Sequence, residues 1–215
     1  MTISRIQRRQ FIRTLFAGAA GGLTASIHHA LAADPKSLPQ GIVESRGEVL
    51  VNGKRATKGS PVAAGDVVET GKGARAVYVI GDSAFLQRQN SRAEFGNTVD
   101  SFLRLVTGGL LGVFGTGTRM LATPTAAIGI RGTGCYIETD ERKTYFCLCF
   151  GAVDLQPVNG QPLSYDTTHH EKPLWIEGGT TKPAMVLNHT DAELIMLEAL
   201  TGRKSPFKAG KSGRY

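Results

Sequence analysis

The chain has 215 residues, three cysteines and a formal net charge of +7. Four arginines fall in the first 32 residues and five basic residues follow residue 201, leaving 16 basic against 18 acidic residues between. A near-neutral body of this length accommodates one sizeable domain and excludes the basic folded surface that nucleic-acid binding requires.

The first element is an address. Arg8 and Arg9 precede Phe11, and a weakly apolar run from Leu15 to Ile27 contains Gly18, Gly21, Gly22, Thr24 and Ser26. The small-residue site Ala30-Leu31-Ala32 follows. This is the layout of a twin-arginine (Tat) signal, which exports already folded proteins to the bacterial periplasm. The run is too short and too polar for a bilayer span, which takes about 20 apolar residues. The expectation is a signal peptide over 1–32 and a mature start at Ala33. An uncleaved anchor is the alternative, and the absence of a following cysteine argues against a lipoprotein. Residues 33–40, with Asp34, Pro35 and Pro39, read as a linker.

Short strand-like runs come next. Gly47–Val51 leads into Asn52-Gly53, the strongest two-residue hairpin signal. Further runs are Val67–Thr70, Ala74–Ile80, Ala84–Gln87, Phe102–Val106, Leu110–Phe114, Met120–Thr123, Ala126–Ile130, Cys135–Thr139, Tyr145–Phe150 and Ala152–Leu155. Strands this short and close predict an all-β fold: a many-stranded sandwich or roll, or a short β-solenoid, with one C-terminal helix packed on it. Residues 156–189 read as a loop-rich extension holding Thr167-Thr168-His169-His170 between Pro162 and Pro173. Thr190 with Glu193 forms a capping-box pattern, so the spacing predicts a helix over Asp191–Thr201 that stops at Gly202. His189 reads as a neighbour of its N-terminus. Residues 203–215 form a basic tail, read as a solvated end or as a weak contact with an acidic surface.

The three cysteines are the chemical feature. Cys147 and Cys149 are two apart on a strand and share a face. The position of Cys135 depends on the turn near Asp140–Lys143: an odd loop sets it opposite Cys147 or Cys149, an even one opposite Leu148. Three readings stand: a disulfide from Cys135 to Cys147 or Cys149 in an oxidising compartment, three buried small hydrophobes, or ligands of a soft metal, Zn²⁺ or Cu(I), joined by His169 or His170.

The β region, residues 41–155, resembles the FecR-domain family. The resemblance rests on Gly47, Val49, Val51, Asn52, Gly53 and Gly59, then Gly65, Asp66, Val68, Thr70 and Gly71. A second block comprises Thr123, Pro124, Ala126, Ile128, Gly129, Ile130, Arg131, Gly132 and Thr133, closed by Gly151-Ala152-Val153. Where the family has an Asp-Gly-Ser turn, this chain reads Gly81-Asp82-Ser83. The resemblance implies structural roles for these residues: positive φ at Asn52-Gly53, an extended approach at Thr123-Pro124, close packing at Gly132, and an Arg131 that holds a buried carboxylate or carbonyls, or else faces a ligand. The family's best-known members read an outside signal and control a sigma factor through a cytoplasmic N-terminal domain. Here only about ten residues precede the apolar run, too few to bury a core. The expectation is therefore a stand-alone, non-enzymatic periplasmic module for binding, sensing or scaffolding, contacting a protein, glycan or small ligand and linked to envelope signalling. A Cys/His metal-binding protein and a membrane-anchored regulator are the alternatives. Membrane contact is expected only through an uncleaved signal or the basic tail.

Catalytic patterns fail on inspection. Gly129–Gly134 lies between strands with no helix after it, so it is not a dinucleotide fingerprint. No Ser/His/Asp or paired-carboxylate arrangement stands out.

Overall fold

A computed structural model describes residues 38–206. The twin-arginine pair, Ala30, Ala32 and the end of the basic tail lie outside the described residues. Fourteen strands form one mixed sheet that does not close into a barrel. Those of the first half are β1 (Gly41–Arg46), β2 (Val49–Val51), β3 (Lys54–Arg55), β4 (Val67–Thr70), β5 (Arg75–Ile80), β6 (Ser83–Gln87) and β7 (Ser91–Thr98). The second half comprises β8 (Ser101–Val113), β9 (Thr118–Ala122), β10 (Ala126–Thr139), β11 (Lys143–Pro157), β12 (Leu163–Thr167), β13 (Leu174–Glu177) and β14 (Thr180–Pro183). The helix, α1, is Asp191–Leu200. No helix among the described residues is long and apolar enough to cross a membrane.

Three long strands organise the sheet, and each joins runs that the sequence shows as separate. Strand β8 is continuous through Gly108-Gly109. Its residues 110–113 lie between β6 and β10, whereas its first half pairs with β7 and, in parallel, with β9. The change of neighbours occurs at Gly108, whose φ of +83° suits glycine and whose added Cβ would lie 2.1 Å from Ser91 Oγ. Strand β10 likewise runs through Arg131–Gly134 with a bulge, and β11 through Gly151. A long strand that changes partners along its length lets one sheet fold over one core.

That core runs from Ile42 to Ile176. At its centre the ring of Phe85 packs 5.1 Å from that of Phe95 and 5.5 Å from that of Phe114. Each such fully buried apolar side chain contributes about 1.5–3 kcal/mol. Leu148 and Cys135 point into this core, while Cys147 and Cys149, one step along the pleat, face the other side of β11.

The family-like residues are mostly turn and packing devices. Asn52 and Gly53 take φ of 51° and 73°, as a tight hairpin needs. The Asn52 amide donates to Asp66 Oδ1 at 2.7 Å and its carbonyl accepts the Val67 N–H at 2.9 Å. Gly65 has a φ of +93°, and Gly71 abuts Glu48. Thr123 joins a buried hydroxyl cluster with Thr125, Thr139 and Thr144; Pro124 lies in the same turn and Gly129 beneath Met120.

Two expected roles differ in the structure. Arg131 pairs with Asp154 at 2.6 Å, but both side chains are half exposed, so the partner carboxylate is not buried. A Cβ on Gly132 would meet no atom within 4 Å; Gly132 supplies positive φ at the β10 bulge, and it is Gly151 whose missing Cβ permits the close approach, against Thr133 and the Gly132 carbonyl. Within 156–189, read as loop-rich, β12 and β13 add directly to β11, and β14 adds to β13. The tail also starts docked: Arg203 pairs with Glu198 at 2.6 Å and donates to the Asp82 carbonyl.

Candidate metal centre

Strand alternation puts Cys147 and Cys149 side by side on β11. The turn after β12 is tied to the same strand, because the His170 N–H donates to the Cys149 carbonyl at 3.0 Å and the Thr167 hydroxyl donates to the Leu148 carbonyl. His170 adopts a φ of +53° there. That is uncommon for a bulky residue and marks a position fixed by its surroundings. Asn188, with φ of +58°, then turns the chain so that His189 enters the same spot just before the Thr190 cap. The capping box forms as the sequence predicts, with mutual bonds between Thr190 and Glu193.

Four donors thus converge. Cys147, Cys149, His170 and His189 place their ligand atoms within 4.8 Å of one another. Cys147 Sγ lies 3.5 Å from His170 Nδ1, which lies 3.0 Å from His189 Nε2. The two thiols are 0% exposed and the two imidazoles 6% and 2%.

The outer hydrogen bonds set the tautomers. His189 Nδ1 lies 2.6 Å from the Leu187 carbonyl, which only accepts, so Nδ1 carries a proton. His170 Nε2 lies 3.1 Å from the Asp191 carboxylate and likewise donates. The remaining nitrogens, His170 Nδ1 and His189 Nε2, then face each other and the Cys147 sulfur, and the gap between them takes a proton, from the Cys147 thiol or from solvent, or a metal ion.

Electrostatics agree. The Cys147 thiol is held well below its ordinary range by the hydrogen bond from Cys149, with burial opposing and His170 and His189 adding to the effect. Burial pushes Cys149 up, and a charged Cys147 beside it adds to this. For His170 burial lowers the pKa, but Cys147 and Asp191 together outweigh it and the net shift is upward. The pocket thus favours a Cys147 thiolate beside a protonated imidazole, with one proton standing where a metal ion bound by the same groups would stand.

The candidates named from sequence divide cleanly. Cys147, Cys149 and His170 come together. Cys135 does not: the even loop sets it opposite Leu148, on the core side of the sheet, and all three thiols are free, so the expected bridge from Cys135 is absent. His169 is not among the four, but its Nε2 lies 3.0 Å from Asp191 and forms an outer group with His170 and Asp191. Sequence reading missed His189 as a member of the cluster and Asp191 as the outer partner of His170. The available signal was their position: a histidine one residue ahead of a cap, followed by an acid in the first turn.

Beside the centre lies a cleft of about 880 Å³, with Arg88, Tyr136, Glu138, Lys143, Trp175 and His189 among its walls. The His189 ring stacks on Tyr136 with centroids 4.9 Å apart.

No protein-family model matches the sequence, and no curated protein matches it. Two crystal structures of a protein from Parabacteroides distasonis, provisionally assigned as an anti-sigma factor, resemble it with a TM-score of 0.48 and 7% identity. The overlap covers 55% of this chain and 58% of that one, so the chain spans less than two thirds of the neighbour it matches.

Proposed function

We propose that this chain is an exported, non-enzymatic binding and scaffolding module of the bacterial envelope, built on a FecR-like β domain and stabilised by one Zn²⁺ ion on Cys147, Cys149, His170 and His189. The carrying observation is the convergence of four buried donor atoms within 4.8 Å, two thiol sulfurs and two imidazole nitrogens that lie 3.0 Å apart. In a tetrahedral Cys₂His₂ zinc site the sulfur–nitrogen edge is about 3.6 Å and the nitrogen–nitrogen edge about 3.3 Å. The observed 3.5 Å and 3.0 Å fit within a few tenths of an ångström. Four protein donors, all buried, describe a closed structural site rather than an open catalytic one. Asp191 and the Leu187 carbonyl supply the outer hydrogen bonds that such ligands require.

The test is metal analysis of protein recovered from the periplasm. The expected result is one equivalent of zinc, lost in Cys147→Ser and Cys149→Ser and kept in Cys135→Ala. Metal-free protein with the same fold would sink the zinc reading, and one equivalent of Cu(I) instead would reassign the ion.

Export rests on the twin-arginine pattern. The expected mature mass starts at Ala33, and replacing both Arg8 and Arg9 with Lys should leave precursor in the cytoplasm. An export route that carries folded chains suits a centre loaded before translocation. The link to envelope signalling rests on the FecR resemblance alone, with a periplasmic protein, a glycan or a small ligand in the cleft as partner.

A further inference from the structure

The donors of the centre come from three segments: strand β11, the turn after β12, and the turn ahead of α1. Asp191 is at once the outer partner of His170 and the first residue of α1. Apart from the stacking of His189 on Tyr136, the stretch 187–193 is otherwise tied to the sheet by polar contacts. Arg88 reaches Glu193 at 2.8 and 2.9 Å and the Asn188 carbonyl at 2.5 Å, and Asn188 donates to Glu138 at 2.7 Å. Arg88 and Glu193, 24% and 20% exposed, form a two-pronged pair that fixes the third residue of the helix, whereas Asn188 and His189 ahead of it are held by single polar contacts and one ring stack. A helix of ten residues does not persist by its own hydrogen bonds. Its apolar anchors, Leu194, Leu197 and Leu200, all lie beyond the first turn. The stretch from Asn188 to Glu193 also forms part of the cleft wall. The main apolar core contains neither Cys147 nor Cys149.

We propose that the metal centre, on the reading given above, is a latch. The bound ion pins 187–193 and the first turn of α1 to β11 and so completes the cleft. Loss of the ion frees that stretch while the sheet, held by its own core on the far side of β11, stays folded. Ligand entry at the cleft is thereby tied to metal occupancy.

The chain contains a reporter for this motion. Trp175 is its only tryptophan and lines the cleft. It packs edge-on against Tyr145 at 5.2 Å, whose hydroxyl accepts the Leu187 N–H and donates to the Met185 carbonyl.

Hydrogen exchange on the mature full-length chain, zinc-loaded and then chelated, tests the latch. After chelation, amides of 187–194 should lose protection on the order of tenfold or more beyond any change in β5, β6 and β10, which stay protected, and the Trp175 emission should shift. Unchanged exchange at 187–194 overturns the latch, and so does equal acceleration everywhere, which would make the ion a global staple. A chain that never takes up metal overturns the zinc reading instead, so the two failures are distinguishable. Asp191→Asn keeps all four ligands and should bind zinc about 10–100-fold more weakly, with protection of 187–194 restored at saturating zinc. Unaltered affinity in that variant removes Asp191 from the latch.

Discussion

Single atoms decide the chemistry of this chain. The proton on His189 Nδ1 is fixed by one carbonyl and that on His170 Nε2 by one carboxylate, and together they turn two ordinary histidines into a matched donor pair. Elsewhere a buried charge works against the fold. Glu198 is 3% exposed, and burial holds its carboxyl above the ordinary range, outweighing the opposing pull of Arg203. A carboxyl whose folded pKa exceeds its unfolded value stabilises the fold fully below the unfolded value, here about 4.5. That contribution is lost as pH rises through the folded value. Glu198→Gln carries no such penalty, so its stability relative to the parent should improve between about pH 4 and pH 7. Urea titrations at the two pH values measure this, and a trend of opposite sign would contradict the assignment.

At the level of strands and helix, much was readable and the gaps have physical causes. Val67–Thr70 and the α1 capping box appear where alternation and cap chemistry put them. Runs such as Phe102–Val106 and Leu110–Phe114 look separate because two glycines intervene, yet cross-strand pairing on both sides carries β8 through them. Strand β7 escaped notice because Ser91–Thr98 alternates only weakly in hydropathy, and β12 and β14 because polar residues dominate these edge strands. The shared face of Cys147 and Cys149 followed from the period of a strand. The side taken by Cys135 depended on the parity of one turn, and the arrival of His189 on a tertiary path, neither of which local pattern encodes. Gly108 tests the element view directly. Alanine there meets both a left-handed backbone and a Cβ 2.1 Å from Ser91 Oγ. Gly108→Ala should therefore cost more than about 2 kcal/mol in chemical denaturation; a neutral result would mean that β8 need not bend at that residue.

For the molecule as a whole, bound metal should appear as thermal stability. At free zinc a thousandfold above Kd the folded state gains about 4 kcal/mol. For a domain of this size that corresponds to about 8–16 °C in Tm by calorimetry, at 2–4 °C per kcal/mol. No change on chelation would argue against a site formed only in the folded chain. The many-partnered course of β8 carries a different message, about time. Because β8 pairs with β6, β7, β9 and β10, its hydrogen bonds are completed only after chain on both sides of it has been made. Non-local pairing of this kind slows folding towards milliseconds or seconds. A nascent chain therefore spends an appreciable interval with its strand edges and thiols uncovered, and the proposed export of folded chains only would hold it back until the last strand is seated, out of reach of sticking to its neighbours.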